Sequence, residues 1–441
     1  MAGGIWTQQE KERAGVYTNF ASEPRTTTTI GERGTVAFIA PLSWGEQLIT
    51  IHSSEFLTQA LPLLGYAATD ESIRHIKAAT QHASKVIIYR LGLTGAAKAN
   101  VTEGVLTATA KYAGLRGNDL KIIIQENIDI EDTFDIYTLL DNEVVATQLA
   151  VTNASAVTSN DFIDFTGTGT LTATAGVSLV GGTTGTVTGK TWSEGLMQLE
   201  VEEFNVLGIP STDSTIKSLV TSWIKRVRDE GKKVVGVLEN YPQADHEGII
   251  SLKNSIVLGD GSTVPTIQLL WEIAALETGA NVNQSLTYTP IQNAVDVAPK
   301  YTNNQIIQAL KNGEMVMTMS NGRAVVEKDI NTFTSFTAEK AKHFSKNRVI
   351  RVLDAIANDL RSNFEQFFIG KVDNNADGRN LLKAQLISYM KKLQDINAIQ
   401  NFDSQNDISV VAAKELDSVY VELVVQPVDS IEKIYMKVRV V

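Results

Sequence analysis

Between Ile122 and Gly189 the chain has no lysine or arginine, yet nine acids fall there: Glu126, Asp129, Glu131, Asp132, Asp135, Asp141, Glu143, Asp161 and Asp164. The stretch is rich in Thr, Val and Gly. It breaks into short alternating runs such as Leu120-Lys-Ile-Ile-Ile124 and Phe134-Asp-Ile-Tyr-Thr-Leu139. A period of two puts apolar side chains on one face of a strand, and many short strands in series predict a β-sandwich or barrel. Charge of one sign repels its neighbours, so this part is expected on the outside of anything larger. Because the composition shifts at about Gly95, residues 95–189 read as an inserted β domain.

The flanking segments follow a different rule. Gly34-Thr-Val-Ala-Phe-Ile-Ala40 predicts a strand, Asp70 to Ala83 a helix capped by Asp70 or Thr69, and Lys85 to Leu91 a buried strand. After the insert, Trp192–Asn205 reads as helix, Val206–Pro210 as strand, and Asp213–Glu230 as helix with Gly231 at its C-terminal end. Strands follow at Lys233–Leu238 and Ser255–Leu258, then a helix over Pro265–Glu277 opened by proline. Such alternation predicts a parallel or mixed sheet covered by helices, so 30–94 and 190–330 are expected to form one α/β domain. From 331 to 425 two long helices, Lys346–Gly370 and Arg379–Gln400, precede strands at Ile408–Ala413 and Ser418–Val425, an α+β domain.

Composition excludes several functions. The net charge is −11, from 39 Lys and Arg against 50 Asp and Glu, and argues against nucleic acid as a partner. No apolar run approaches the roughly 18 residues of a membrane span, and the first thirty residues do not read as a signal peptide. With no Cys, thiolate metal sites and Cys nucleophiles are impossible, and five His leave little imidazole chemistry. Gly189-Lys-Thr191 resembles the end of a phosphate loop, but Gly185 leaves three residues between the glycines where four are needed. Asp373, Asn375, Asp377 and Gly378 match half a calcium loop whose twelfth position is Ala384, which cannot ligate. His246-Glu247 starts a zinc-protease motif that lacks its second His, and no G-x-S-x-G elbow exists. The Met315, Met317, Met319 series has a strand period. No catalytic residue, cofactor or metal is expected.

The ends are more informative. Ile434, Met436, Val438 and Val440 alternate with Tyr435, Lys437, Arg439 and Val441 in an amphipathic strand with no following element. Near the start, Val16, Thr18 and Phe20 alternate with Tyr17 and Asn19 inside a polar arm, residues 1–29. A lone strand satisfies neither its backbone nor its apolar face and needs a sheet. Periodicity alone leaves two outcomes: pairing within the subunit, or donation to a neighbour by β-augmentation.

Several segments together resemble contractile phage tail sheath proteins. They are Ala14-Gly-Val-Tyr-Thr-Asn-Phe20, Gly34-Thr-Val-Ala37, Leu42-Ser-Trp-Gly45, Ala110-Lys-Tyr-Ala-Gly-Leu-Arg-Gly-Asn118, Leu179-Val-Gly-Gly182 and Val424-Val-Gln-Pro-Val-Asp-Ser-Ile-Glu-Lys-Ile-Tyr435. They span nearly the whole chain in the family's order, in the style of Gram-positive phages and phage-like bacteriocins of the R type. The resemblance implies a subtilisin-like α/β core without catalytic residues, an outward β domain, and a C-terminal domain nearest the tail tube. It also implies strand donation by Val16–Phe20 and Ile434–Val441 (arm 426–441), with Ile408–Ala413 and Ser418–Val425 as the host sheet. The hinges would be Ser22–Thr29 and Gln426–Ser430. The expected partners are the chain itself in hexameric rings stacked as a helical polymer, the tube protein, the baseplate and a tail terminator. The expected place is the virion tail, assembled in the host bacterial cytoplasm, and the expected role is driving the tube through the host envelope for genome ejection. The rival readings are a tail-associated adhesion or tube protein and a hydrolase on the α/β domain.

Overall fold

The computed structural model describes residues 31–440, together with the backbone of 3–4 and 16–17. Its centre is a seven-stranded sheet covered by helices on both faces. In chain order the elements are β1 (Thr35–Pro41), β2 (Leu48–His52), α1 (Arg74–Thr80), β3 (Lys85–Leu91), α2 (Gly189–Glu200), β4 (Val206–Gly208), α3 (Ser214–Asp229), β5 (Val235–Glu239), β6 (Ile249–Leu252), α4 (Thr266–Gly279) and β7 (Glu314–Met315). The strand order is β7-β6-β5-β4-β1-β3-β2, parallel throughout except for β2 against β3. Val36, Phe38 and Ala40 of β1 join the core beneath α1 and α4, while Ala37 and Ile39 face α2 and α3. With both faces buried, the strand reads as a continuous apolar run.

Local chemistry fixes the boundaries. Asp70 accepts from the Ser72 amide at 2.8 Å and opens a short 3-10 turn (Glu71–Ile73) ahead of α1, which is therefore shorter than the 70–83 expected. Helix α2 starts earlier than expected, because Thr188 and Thr191 form a capping box, and it ends at Glu200. Asn205 lies outside it and accepts from the Gly34 and Thr35 amides instead. Pro265 sits at the N-cap of α4, one place before the helix. Strand β6 was not expected, and Ser255–Leu258 pairs outside the central sheet, with Thr263–Val264 and Ala294–Ala298. Met315 and Met317 are buried but belong to separate short strands, and Met319 is exposed.

Between β3 and α2 the chain leaves the sheet and builds two antiparallel sheets. One has four strands, in the order Glu143–Val151, Phe134–Leu140, Leu120–Glu126 and Thr174–Ser178. The other has three, Ile163–Gly167, Leu106–Ala110 and Asn100–Glu103. They enclose Leu106, Ala108, Leu120, Ile122, Ile136, Ile163 and Phe165. Of the two shapes expected, this is the open two-sheet one.

At the C-terminal end, α5 (Asn347–Phe367) and α6 (Ala376–Asp395) pack under a hairpin of β8 (Ile408–Ala412) and β9 (Val419–Leu423). Helix α5 also ties this region to the sheet domain. The Arg351 guanidinium donates to Glu277 of α4 at 2.6 Å, with side chains 1% and 2% exposed. One turn on, Asp354 accepts two bonds from Arg228 of α3, at 2.7 and 2.8 Å, also buried. Asn358 then exchanges bonds with both backbone groups of Lys233. Burial pushes Glu277 up to about 7, against the pull of Arg351.

Candidate assembly interface

The β8–β9 hairpin is a sheet with two open edges among the described residues. Its inner face, Ile408 and Val410 with Val419, Val421 and Leu423, packs on Leu382 and Leu386 of α6 and on Phe364 and Phe368 near the end of α5. Its outer face is exposed and pairs Ser409 with Glu422 and Val411 with Tyr420. Two strands are the bare minimum of a sheet, and each edge presents a row of backbone donors and acceptors.

The C-terminal segment leaves β9 and is fastened before it is freed. Gln400 N–H donates to Gln426, Val428 N–H donates to Ala398, and Pro427 bridges Ile399. Lys346, at the N-cap of α5, pairs with Asp429 at 3.3 Å and with Glu432. Thr287 donates to Glu432 at 3.0 Å, and Arg348 donates to Ser430 at 2.9 Å. The hinge expected over Gln426–Ser430 is therefore bonded to the body. Freedom begins after Glu432, whose side chain is 11% exposed, while its neighbour Ile431 is 86% exposed. That inversion, polar side in and apolar side out, runs opposite to self-burial.

Beyond this point Ile434, Tyr435, Met436, Lys437, Val438, Arg439 and Val440 belong to no strand and are exposed; Ile434 shows 79% of its surface and Val440 96%. Val441 lies outside the described residues. So do Thr18, Asn19, Phe20 and the Ser22–Thr29 linker, while Val16–Tyr17 pairs in parallel with Gly3–Gly4. The anchors Lys346, Thr287 and Arg348 were missed by sequence reasoning. Single polar residues far from the tail carry no periodic signal.

The chemical motifs resolve into local structure. Thr191 of the phosphate-loop remnant closes the α2 cap, and Lys190 is exposed beside Glu194. Asn375 of the calcium-loop remnant caps α6 by accepting from the Gly378 amide at 2.9 Å. Burial holds His75 and His246 down at about 4. Glu247, next to His246, pairs with Lys340 at 2.6 Å. No cluster of metal-ligating side chains and no helix long and apolar enough to cross a membrane occurs among the described residues.

Residues 94–184 match the phage tail sheath protein beta-sandwich domain, 185–332 the phage tail sheath protein central domain, and 339–441 the phage tail sheath C-terminal domain. The chain is 36% identical to the phage-like element PBSX protein XkdK of Bacillus subtilis (strain 168) over the full length of both. It is 49% identical to the sheath tail protein of Desulfitobacterium hafniense, whose crystal structure superposes with a TM-score of 0.86 over 97% of this chain and 100% of that one. The chain belongs to the phage tail sheath family. As a sheath protein it is a structural subunit of a contractile tail. The fold, at 13% identity, is also that of the helical sheath of the anti-feeding prophage in its contracted state, with a TM-score of 0.58 over 98% of this chain and 99% of that one. The sandwich, sheet domain and C-terminal region are thus sheath architecture.

Proposed function

We propose that this sheath protein polymerises into stacked hexameric rings around a tail tube and that its two arms complete the hairpin sheets of adjacent copies. The observation that carries this is the exposed, unpaired strand pattern of Ile434–Val440. Seating its four apolar side chains on a neighbour would gain about 1.5–3 kcal/mol each, gross. Main-chain ladders of this kind persist while the bodies they join rotate, and head-to-tail contacts that do not close generate helices.

We assign 1–29 and 426–441 as arms, 30–94 with 190–330 as a subtilisin-like core without catalytic function, 95–189 as the outer domain and 331–425 as the domain facing the tube. The acid-rich composition of the insert, with no base between Ile122 and Gly189, supports its outward position. Tube protein, baseplate and tail terminator are the partners, and the particle is a phage tail or an R-type bacteriocin built in the host cytoplasm. Contraction then releases free energy held in subunit contacts, about a few kcal/mol per copy summed over the array. The protein acts without cofactor, nucleotide or catalysis. Deletion of Ile434–Val441 is expected to leave a folded chain that no longer forms sheath in electron micrographs. Sheaths that persist after the deletion would refute the proposal.

A further inference from the structure

We infer that the turn between β8 and β9 of one copy docks, through Leu416, into a lysine-ringed apolar groove at the tail root of the next. The inference rests on the arm exchange proposed above and adds a second contact between the same two copies. At a net charge of −11, copies of this chain repel one another unless cationic surface is placed where they meet. Such a surface stands ahead of α5. A groove of about 530 Å³ runs between the helix Asn303–Lys311, the residues before α5, and Glu432–Lys433. Ile307 and Phe336 on its wall are 42% and 44% exposed, and its rim carries Lys311, Lys328, Lys342 and Lys433. Both acids of the groove are engaged inside the subunit, Glu432 by Lys346 and Thr287, and Glu327 by the Thr318 hydroxyl. That leaves the four lysines with no acid at ion-pair distance among the described residues. Burial and the crowding of Lys346, Lys433 and Lys342 hold Lys328 below the ordinary lysine value, against the pull of Glu432.

The turn has the opposite character. Leu416 is 98% exposed at its tip, flanked by Glu415 and Asp417, with Lys414 the one base. It is held there rather than left loose. Asn374 donates to the Leu416 and Ser418 carbonyls at 2.8 and 3.0 Å, and the Ser418 hydroxyl donates to the Glu415 carbonyl at 3.0 Å. A leucine fixed in water between two carboxylates matches an apolar groove ringed by lysines. The two surfaces lie on different parts of one chain, so the contact is head-to-tail, the kind that builds open helices. Continuity with the tail selects this partner. Ile434 follows Lys433 directly, so a neighbour whose hairpin holds the tail strand stands at the mouth of the groove. Ile128, 99% exposed among Asp129, Glu131 and Asp132, has similar chemistry, but it belongs to the insert that the proposal above sets on the outside. The burial of Leu416 supplies the affinity, and the charges orient the approach.

The test uses the full chain and reads the critical concentration for sheath assembly by sedimentation. Leu416→Ser alters an exposed side chain, so its thermal melt should match the parent's. Its critical concentration should rise at least about ten-fold, the scale of one buried leucine. An unchanged value would overturn the inference and leave arm exchange standing, because arm exchange is tested separately by deleting Ile434–Val441. Lys311→Glu with Lys342→Glu should also raise the critical concentration, and adding Glu415→Lys and Asp417→Lys should lower it again. Rescue by Asp129→Lys and Glu131→Lys instead would make the insert the occupant and overturn the assignment, as would no rescue by either pair. The chain has no cysteine, so contact can be read directly. Sheaths carrying Leu416→Cys and Phe336→Cys should give intersubunit links with a short bismaleimide, and assembled sheaths without them would overturn the docking.

Discussion

Asp354→Ala should be a severely damaging single change on α5. Asp354 lies in the first half of the helix, where one face is buried, and its carboxylate accepts two bonds from Arg228 at 2.7 and 2.8 Å. Burial acts to lower Arg228, but the nearby Asp354 charge holds it above the ordinary arginine value. Truncation leaves that guanidinium buried with only its bond to the Val234 carbonyl. Two charge-assisted bonds are worth about 1.5–3 kcal/mol each, and the aspartate's own desolvation is relieved in return. The balance is about 4 kcal/mol, within the about 3–5 kcal/mol seen when one partner of a buried pair is removed. With a urea slope of about 3 kcal/mol per molar, the midpoint should fall by about 1.3 M. Tryptophan fluorescence suits the measurement, since Trp223 sits on α3 little more than a turn from Arg228 and bonds to Glu200. Arg228→Met in the same chain removes the orphaned charge, so the double variant should recover much of the loss, with a coupling energy above about 2 kcal/mol. If the two single effects simply add, the pair is not the lock between the domains, and the reasoning fails.

Other expectations follow from the same geometry. Glu277 is raised by burial from 4.5 to about 7, so the folded chain keeps a proton that the unfolded chain releases. Its contribution to stability is full below pH 4.5 and is lost as pH rises through 7; Glu277→Gln should flatten that part of the urea-midpoint profile, and an unchanged profile would count against the assignment. Lys346→Ala should expose the tail root to trypsin at Lys433 several-fold faster while leaving the body uncut, and equal cleavage rates would show that Asp429 and Glu432 do not need Lys346. Gly114→Ala should cost at least about 2 kcal/mol, because Gly114 has φ +139° and an added Cβ would lie 2.1 Å from the Ser43 carbonyl oxygen, and a thermal melt with no shift would refute it.

The parts legible in the sequence were those governed by periodicity and end signals. Strands β1 and β3 announce themselves as runs whose interiors are apolar apart from Arg90, because both their faces are covered, and α3 is bracketed by Asp213 and Gly231. Strand β6 escaped because four buried residues, Ile-Ile-Ser-Leu, have no period to read. Ser255–Leu258 was read as a strand, but its sheet depends on partners near Thr263 and Ala294 that local pattern does not specify. In the interface the amphipathic tail was visible from Ile434 onward. The point where it comes free was not, because Lys346, Thr287 and Arg348 reach it only through the folded chain. The same holds for Arg351 and Asp354, which look like ordinary helix charges until α3 and α4 close over them.

The placement of Lys346 has a mechanical consequence. It grips the root of the tail, stands at the start of α5, and lies about one and a half turns from Arg351 and just over two from Asp354. Traction on the last residues would therefore enter the body at this lysine and travel down one helix into α3 and α4. That route bypasses the hairpin, so a copy can be tugged by one neighbour without loosening its grip on the strand it holds for another.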